Sequence, residues 1–250
     1  MPVHNTGPYL EDALKSIFSQ TFQDWELLVL DDGSTDHSRE ILEKLAQGEP
    51  RLRVLAREYR GVVTTRNELM AAARAPLLAW MDSDDHSVPE RLALQVQRMR
   101  EEPELVCLGG AWLMTDPEGL PIRIFDFPTD HEDILKAMEE EIAIGFGASM
   151  MRRDSAMAVG GFREPFVISE DYDLCLRLSE VGRVANLPEV ILHYRQHMGS
   201  TVNAGRPRSS TYSRLARELA WERRARGQDR LQRGEKVAVR ICLVAHNKRG

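Results

Sequence analysis

Two acidic clusters follow directly on apolar runs. Asp31-Asp32-Gly33-Ser34-Thr35-Asp36 comes after Trp25 to Leu30, and Asp82-Ser83-Asp84-Asp85 after Pro76 to Met81. Apolar runs of this length read as buried strands. In an open α/β sheet, ligands bind beyond the carboxyl ends of the strands. Two strands therefore deliver carboxylates to one edge, where paired acids suit a divalent cation and a nucleotide phosphate. Neither the Gly-rich turn of a dinucleotide fold nor a P-loop lysine motif is present. A nucleotide would have to be held by acids, metal and backbone.

The elements that must position these acids follow from periodicity. Tyr9, Leu10, Ala13, Leu14, Ile17 and Phe18 recur at helical spacing. Ser34 or Asp36 can cap a second helix with Ile41, Leu42 and Leu45 on its inner face. Leu52 to Ala56, Leu77 to Met81 and Leu105 to Leu108 read as strands, Val63 to Ala73 as a helix, and Pro89 opens another. This alternation predicts an α/β fold, a mostly parallel sheet with helices on both faces. After Gly109 the pattern changes. Thr115 to Pro128 reads as loop and short strands, Asp133 to Glu141 as a helix and Ile144 to Met151 as a strand. A turn follows at Gly160-Gly161-Phe162, a helix starts at Glu170 and ends at Gly182, and an amphipathic helix runs from Tyr212 to Ala220.

Composition is that of an ordinary globular protein: 250 residues, 42% apolar and 29% charged. A net charge of −6 gives no support for nucleic-acid binding. Cys107, Cys175 and Cys242 are too few and too scattered for a disulfide framework or a zinc site, and read as buried free thiols in a reducing cytoplasm. No apolar run has the length of a membrane span, and no signal peptide is visible.

Several segments, in order, resemble the family 2 glycosyltransferases, which have the GT-A fold. Pro2-Val3-His4-Asn5 looks like the first nucleotide loop and Asp31 to Asp36 the second. Gly61 to Asn67 looks like the helix carrying an Arg-Asn pair, and Asp82-Ser83-Asp84 matches the Asp-x-Asp motif. Gly160-Gly161-Phe162 with Ser169 to Leu174 matches the acceptor-side segment, and Tyr194 to Ser200 the closing loop. The resemblance covers residues 2 to 203. It implies an inverting, metal-dependent transfer of one sugar from a nucleotide sugar, most simply a UDP-sugar, to an acceptor hydroxyl. Pro2, Val3, His4, Asn5, Asp32, Arg66, Asp82, Ser83 and Arg195 would bind the donor. Asp32 would accept the uracil imide N–H, and His4 would stack on the base. Arg66 would pair with diphosphate or with Asp82. Asp84 and His197 would hold Mn2+ or Mg2+, the imidazole favouring manganese. Asp171 would be the catalytic base, with Glu170 orienting it or binding an acceptor hydroxyl.

Each motif also has a bland reading. Asp31, Ser34 and Asp36 suit turns and caps, Glu170-Asp171 suits a solvated helix start, and His197 suits a surface position. The Arg-rich stretch from Arg214 to Arg233 reads first as a solvated helix face, with contact to an acidic membrane second. The sequence departs from the family pattern at Glu68, where Gly often follows Arg-Asn, and lacks the Gln-x-x-Arg-Trp motif of processive polymerases. The implied acceptor is a glycan, a lipid-linked glycan or a small glycoside, at a cytoplasmic location. Peripheral contact with the inner face of the membrane and a homodimer both stay open. The rival readings are a sugar-phosphate nucleotidyltransferase and an inactive nucleotide-sugar-binding protein. The expected domains are residues 1–203, divided at 110 into donor and acceptor halves, and a tail over 204–250. Only Met1 precedes Pro2, where the family has a first strand. Val237 to Val244 reads as a strand whose following Ala-His-Asn echoes Val3-His4-Asn5, and it is expected to fill that slot parallel to Glu26 to Leu30, within the chain or from a partner molecule; the bland alternatives are a start placed too late and a tail strand on the sheet edge or without order.

Overall fold

Every residue of the strand Leu27–Asp32 (β2) is buried. A strand covered on both faces needs partners along its edges. Leu52–Arg57 (β3) lies on one side, and on the other Pro2–Val3 (β1) pairs parallel in the register Pro2↔Leu30 and Val3↔Asp31. β2 runs two residues further than the apolar run alone predicts, so Asp31 and Asp32 are its last residues rather than loop. Its side chains alternate between two cores. Leu27 and Val29 pack with Leu10, Leu14 and Leu42 from the helices Gly7–Phe18 (α1) and Ser38–Ala46 (α2). Leu28 and Leu30 pack with Val63, Leu69 and Met70 from Val62–Ala72 (α3). The computed structural model describes residues 1–199 and 201–237, with the backbone alone over 201–210.

The second sheet is mixed. It contains Leu77–Ala79 (β4), His86–Ser87 (β5), Leu105–Thr115 (β6), Pro121–Phe125 (β7), Met150–Arg152 (β8) and Arg183–Arg195 (β9). The order is β4-β8-β6-β9-β5, with β7 hairpinned onto β6. Among the described residues, the β6–β9 pair alone is parallel in this sheet. Parallel pairing thus belongs mainly to the first half of the chain. The helices are Arg91–Glu101 (α4), His131–Ala137 (α5), Arg153–Ala158 (α6), Glu170–Leu178 (α7) and Thr201–Arg226 (α8).

Three expectations need correction. The strand from Leu105 does not stop at Leu108. Gly109 and Gly110 look like a break, but they are close-packing positions inside β6. A Cβ on Gly109 would lie 2.2 Å from Asn186 Oδ1, and one on Gly110 2.5 Å from Ile191 Cδ1. The predicted strand from Ile144 shrinks to Met150–Arg152, because Phe146–Ala148 forms a 3-10 turn. The helix from Glu170 ends at Leu178, short of Gly182. Not foreseen were the short strands β1 and β5, the helix α6 and the long β9, whose apolar pattern is interrupted by Pro188 and Glu189.

The Arg-rich helix is also more than a solvated face. Arg223 is buried, pairs with Glu180 and shares Asp229 with Arg163. Arg163 and Arg177 both bond Asp173, a fully buried residue of α7. This network fastens α8 and the segment after it to α7. Removing one member of a buried ionic cluster strands the others without compensation. Asp173→Ala is therefore expected to cost about 3–5 kcal/mol of stability in chemical denaturation. A loss below about 1 kcal/mol would class the cluster with solvent-screened surface pairs. Residues 238–250, including nearly all of the predicted tail strand, lie outside the described residues.

Candidate active site

β2 and β4 belong to different sheets rather than to one, and α3 links their acidic ends: Asp32 accepts Gly61 N–H just ahead of α3, and Arg66 of α3 reaches Asp82. Asp31 and Asp36 build the loop, as their turn-and-cap reading has it. Asp31 accepts from Ser34 N–H and pairs with Arg39, while Asp36 accepts from Gly7 N–H and from Ser38 N–H at the start of α2. Asn5, held at φ 55°, accepts from Thr35 N–H, and its own N–H donates to Ser34 Oγ. These bonds tie the two predicted nucleotide loops together. Val3 is buried beneath them and Pro2 is half-buried.

Asp32 sits below this double loop, 3% exposed. Its Oδ1 accepts from Arg60 N–H and meets Arg57, and its Oδ2 accepts from Gly61 N–H at 2.8 Å. A carboxylate oxygen accepts two bonds, so Oδ2 keeps one lone pair for a further donor. His4 Nδ1 lies 2.8 Å from Asp32 O, and its ring lies 4.7 Å from that of Tyr59, which is 64% exposed. His4 and Tyr59 form an aromatic pair beside Asp32. Tyr59 was missed from sequence because it belongs to no recognisable motif. The structure shows it through Gly33, at φ 71°, where a Cβ would lie 2.7 Å from Tyr59 N. Gly33 is thus required by the close approach of the Tyr59 backbone.

Arg66 joins the two halves of the site. It is 7% exposed, and its guanidinium donates to Asp82 Oδ1 at 3.1 Å and to Glu170 Oε1 at 2.6 Å. It also lies over Phe146 and Phe162. The next residue, Asn67, clamps the turn at Phe162 with both amide atoms, accepting from Phe162 N–H and donating to Phe162 O. The Arg-Asn pair therefore fixes the carboxylates after β4 against the start of α7. Ser169 introduces α7 at φ 61°, an αL conformation that costs a non-glycine residue energy and recurs at functional sites. Glu170 and Asp171 follow in its first turn. Burial pushes the Glu170 carboxyl up to about 7 against the pull of Arg66. Burial raises Asp171 as well, opposed by Arg66 and by the Tyr172 N–H that Asp171 accepts. Arg66 paired with Asp82 was anticipated; its second partner, Glu170, was not.

His197 Nε2 lies 2.9 Å from Asp84 Oδ2, across 113 positions of sequence, with the Tyr9 ring 4.5 Å from the imidazole. Burial, with Asp82 nearby, pushes Asp84 above the usual carboxylate range. Asp85, to which the sequence reading gave no role, is 1% exposed. Its Oδ1 accepts Arg195 N–H, and its Oδ2 has no partner in the described structure. Arg195 itself pairs with Asp12, so it anchors the closing strand rather than standing free for a ligand. Ser83 is buried between the acids. Among the described residues no three His, Cys, Asp or Glu side chains converge as a complete metal cage. The Asp84–His197 pair instead offers two ligands, next to a buried carboxylate oxygen without a partner. That donor set suits a cation whose other ligands come from a diphosphate and water.

Among the described residues no helix is long and apolar enough to cross a membrane. Solved structures share this architecture. S. aureus TarS 1-349 in complex with UDP-GlcNAc aligns with TM-score 0.68 at 19% identity, over 86% of this chain and 63% of that one. The mannosyltransferase PcManGT from Pyrobaculum calidifontis, in complex with GDP-Man and Mn2+, aligns with TM-score 0.65 at 17% identity, over 89% of this chain and 62% of that one. The O-antigen biosynthesis protein RfbC of Myxococcus xanthus is 33% identical over 214 residues, 82% of this chain but 16% of its own length. The chondroitin synthase of Pasteurella multocida is 28% identical over 203 residues, 80% of this chain and 20% of its own. The chain thus spans a fifth or less of these two relatives. The family model described as "Glycosyl transferase family 2" matches residues 1–160. With this match, the ordered motifs and the GT-A architecture, the chain belongs to glycosyl transferase family 2.

Proposed function

We propose that the chain transfers one sugar from a nucleotide sugar, most simply a UDP-sugar, to an acceptor hydroxyl with inversion, as a step in the synthesis of a surface glycan. The observation that carries the reading is the Arg66 bridge, which ties Asp82 of the Asp-x-Asp segment to Glu170, the neighbour of Asp171. Asp32 Oδ2 accepts an imide N–H of the base, which His4 and Tyr59 flank. Asp84 and His197 would hold Mn2+ or Mg2+. A cation held there would supply charge to offset that building on the leaving diphosphate. Asp171 takes the acceptor's proton as the acceptor oxygen attacks the anomeric carbon. Glu170, held by Arg66, fixes the helix start that presents Asp171. The relatives named for O-antigen and chondroitin assembly support a glycan acceptor. The test is release of nucleoside diphosphate from a panel of nucleotide sugars with Mn2+ and candidate glycans. Tight nucleotide binding without any release would favour an inactive binding protein.

The raised Asp171 carboxyl carries a pH prediction. A general base must be ionised, so kcat/KM is expected to fall on acidification, starting above the ordinary carboxylate range. In Glu170→Gln the acid limb should persist, because the group that must lose its proton is still present. A limb that disappears in that variant would move the base assignment to Glu170.

A further inference from the structure

The helix α1 begins at the donor loops and passes the closing segment. Gly7 N–H donates to Asp36 at 2.9 Å and Thr6 N–H to Ser38 Oγ at 3.1 Å, so the start of α1 is fixed by the loop that follows Asp32. Pro8 sits in the first turn, where a missing N–H costs no helical bond. Leu10, Ala13, Leu14 and Ile17 then bury one face of α1. Tyr9 belongs to the same apolar run in the sequence, yet it is only half-buried.

A second face of α1 carries Tyr9, Asp12 and Ser16, at the three- and four-residue spacings that share one side of a helix. All three meet the closing segment or the strand beside it. Ser16 Oγ accepts Ser87 N–H on β5, and Asp12 accepts from the Arg195 guanidinium at 2.5 Å. That guanidinium also lies 5.0 Å from the centre of the Tyr9 ring. Two residues on, the His197 ring stands 4.5 Å from the Tyr9 ring, inclined to it by 39°. The imidazole has partners at both nitrogens. Nε2 lies 2.9 Å from Asp84 Oδ2, and Nδ1 accepts Gly199 N–H at 3.2 Å. Bonds at its edges hold a ring in place but leave its tilt about the line joining them to be set by contact with its face. Tyr9 supplies that contact, as one member of an aromatic pair.

We propose that Tyr9 is a positioning residue for the reaction: its ring sets the tilt of His197, and through the start of α1 it ties that imidazole to the loop that reads the base. The proposal rests on the reading of Asp84 and His197 as the pair that holds the cation. An imidazole binds a metal through a lone pair in the plane of its ring, so the tilt decides where that lone pair points. Partners that orient a ligating imidazole command about 10–100-fold in metal affinity. A carboxylate oxygen suits Mg2+ and Mn2+ alike, whereas an imidazole favours Mn2+. The quantity under the control of Tyr9 is therefore the preference for Mn2+ over Mg2+.

UDP affinity is measured by calorimetry in the full chain without metal, with Mn2+ and with Mg2+, and the two metal enhancements are compared as a ratio. Tyr9→Leu is expected to lower that ratio by about 10-fold. Tyr9→Phe keeps the ring and is expected to retain the ratio. Metal-free UDP affinity and the melting temperature report whether each variant is folded; should Tyr9→Leu not be, Tyr9→Met takes its place. His197→Ala is expected to lower the ratio as well. Tyr9→Leu added to it should lower it no further, since both changes remove one interaction. A ratio equal to the parent's in Tyr9→Leu but lowered in His197→Ala would overturn the proposal and leave the metal pair standing. So would equal losses in Tyr9→Phe and Tyr9→Leu, which would give the role to the hydroxyl, or a further fall in the double variant. An unchanged ratio in His197→Ala, or a parent with no metal enhancement, would overturn the metal reading and the proposal with it.

Discussion

Asp171→Asn is expected to lower sugar transfer by roughly 10²–10⁴-fold while leaving nucleotide affinity nearly unchanged, the usual worth of a positioned general base. The substitution keeps the shape of the side chain and its bond from Tyr172 N–H, and removes only the capacity to take a proton. It also leaves the Arg66 contacts to Asp82 and Glu170 in place. The effect should therefore fall on kcat rather than on donor binding. Rates in single turnover, with UDP affinity measured alongside, separate the two. A variant that transfers at the parental rate would assign the proton to another group. One that loses nucleotide binding to the same extent as transfer would make Asp171 part of the donor site.

Asp84→Asn has the second largest expected effect, and on a different quantity. Asp84 faces His197 at 2.9 Å, and its carboxyl is pushed up by burial and by Asp82, so a divalent charge there would relieve a cost the protein carries in the metal-free state. Replacing the charged ligand leaves a single imidazole and an amide. The gain in UDP affinity produced by Mn2+ is expected to fall by at least about 10–100-fold, the range that even outer partners of a metal site command. Calorimetry with and without Mn2+ reads it directly. Equal metal enhancement in both proteins would remove Asp84 from the metal site.

The acidic clusters were legible in the sequence because strand ends and carboxylates coincide there. Burial of β2 and the run Leu77 to Met81 are local properties of composition, and they place Asp32, Asp82 and Asp84 at or just beyond strand ends, though in two sheets rather than one. What joins them to Glu170 and Asp171 is long-range. Arg66 reaches Glu170 across 104 positions, and His197 reaches Asp84 across 113. No periodicity carries such pairings; only the order of the motifs hinted at them. The resemblance singled out Asp32, while Asp31 and Asp36 suited turns and caps; composition alone does not say which carboxylates are consumed by loop backbone. Gly109 and Gly110 misled for a related reason. A glycine that admits a neighbouring side chain and a glycine that ends a strand read alike until Asn186 and Ile191 are seen against them. Asp85 stood beside the motif, and its bond to Arg195 N–H could be known only once β9 returned to β5.

The proposed arrangement sets a base on one side of the anomeric carbon and the diphosphate on the other, which leaves room for one displacement and no covalent sugar on the enzyme. The anomeric configuration of the first-formed product, followed by proton NMR during turnover of an accepted nucleotide sugar, tests that most directly. The product is expected to carry the configuration opposite to the donor's from the earliest time point. A first product with the donor's configuration retained would contradict the single-displacement account and the role given to Asp171.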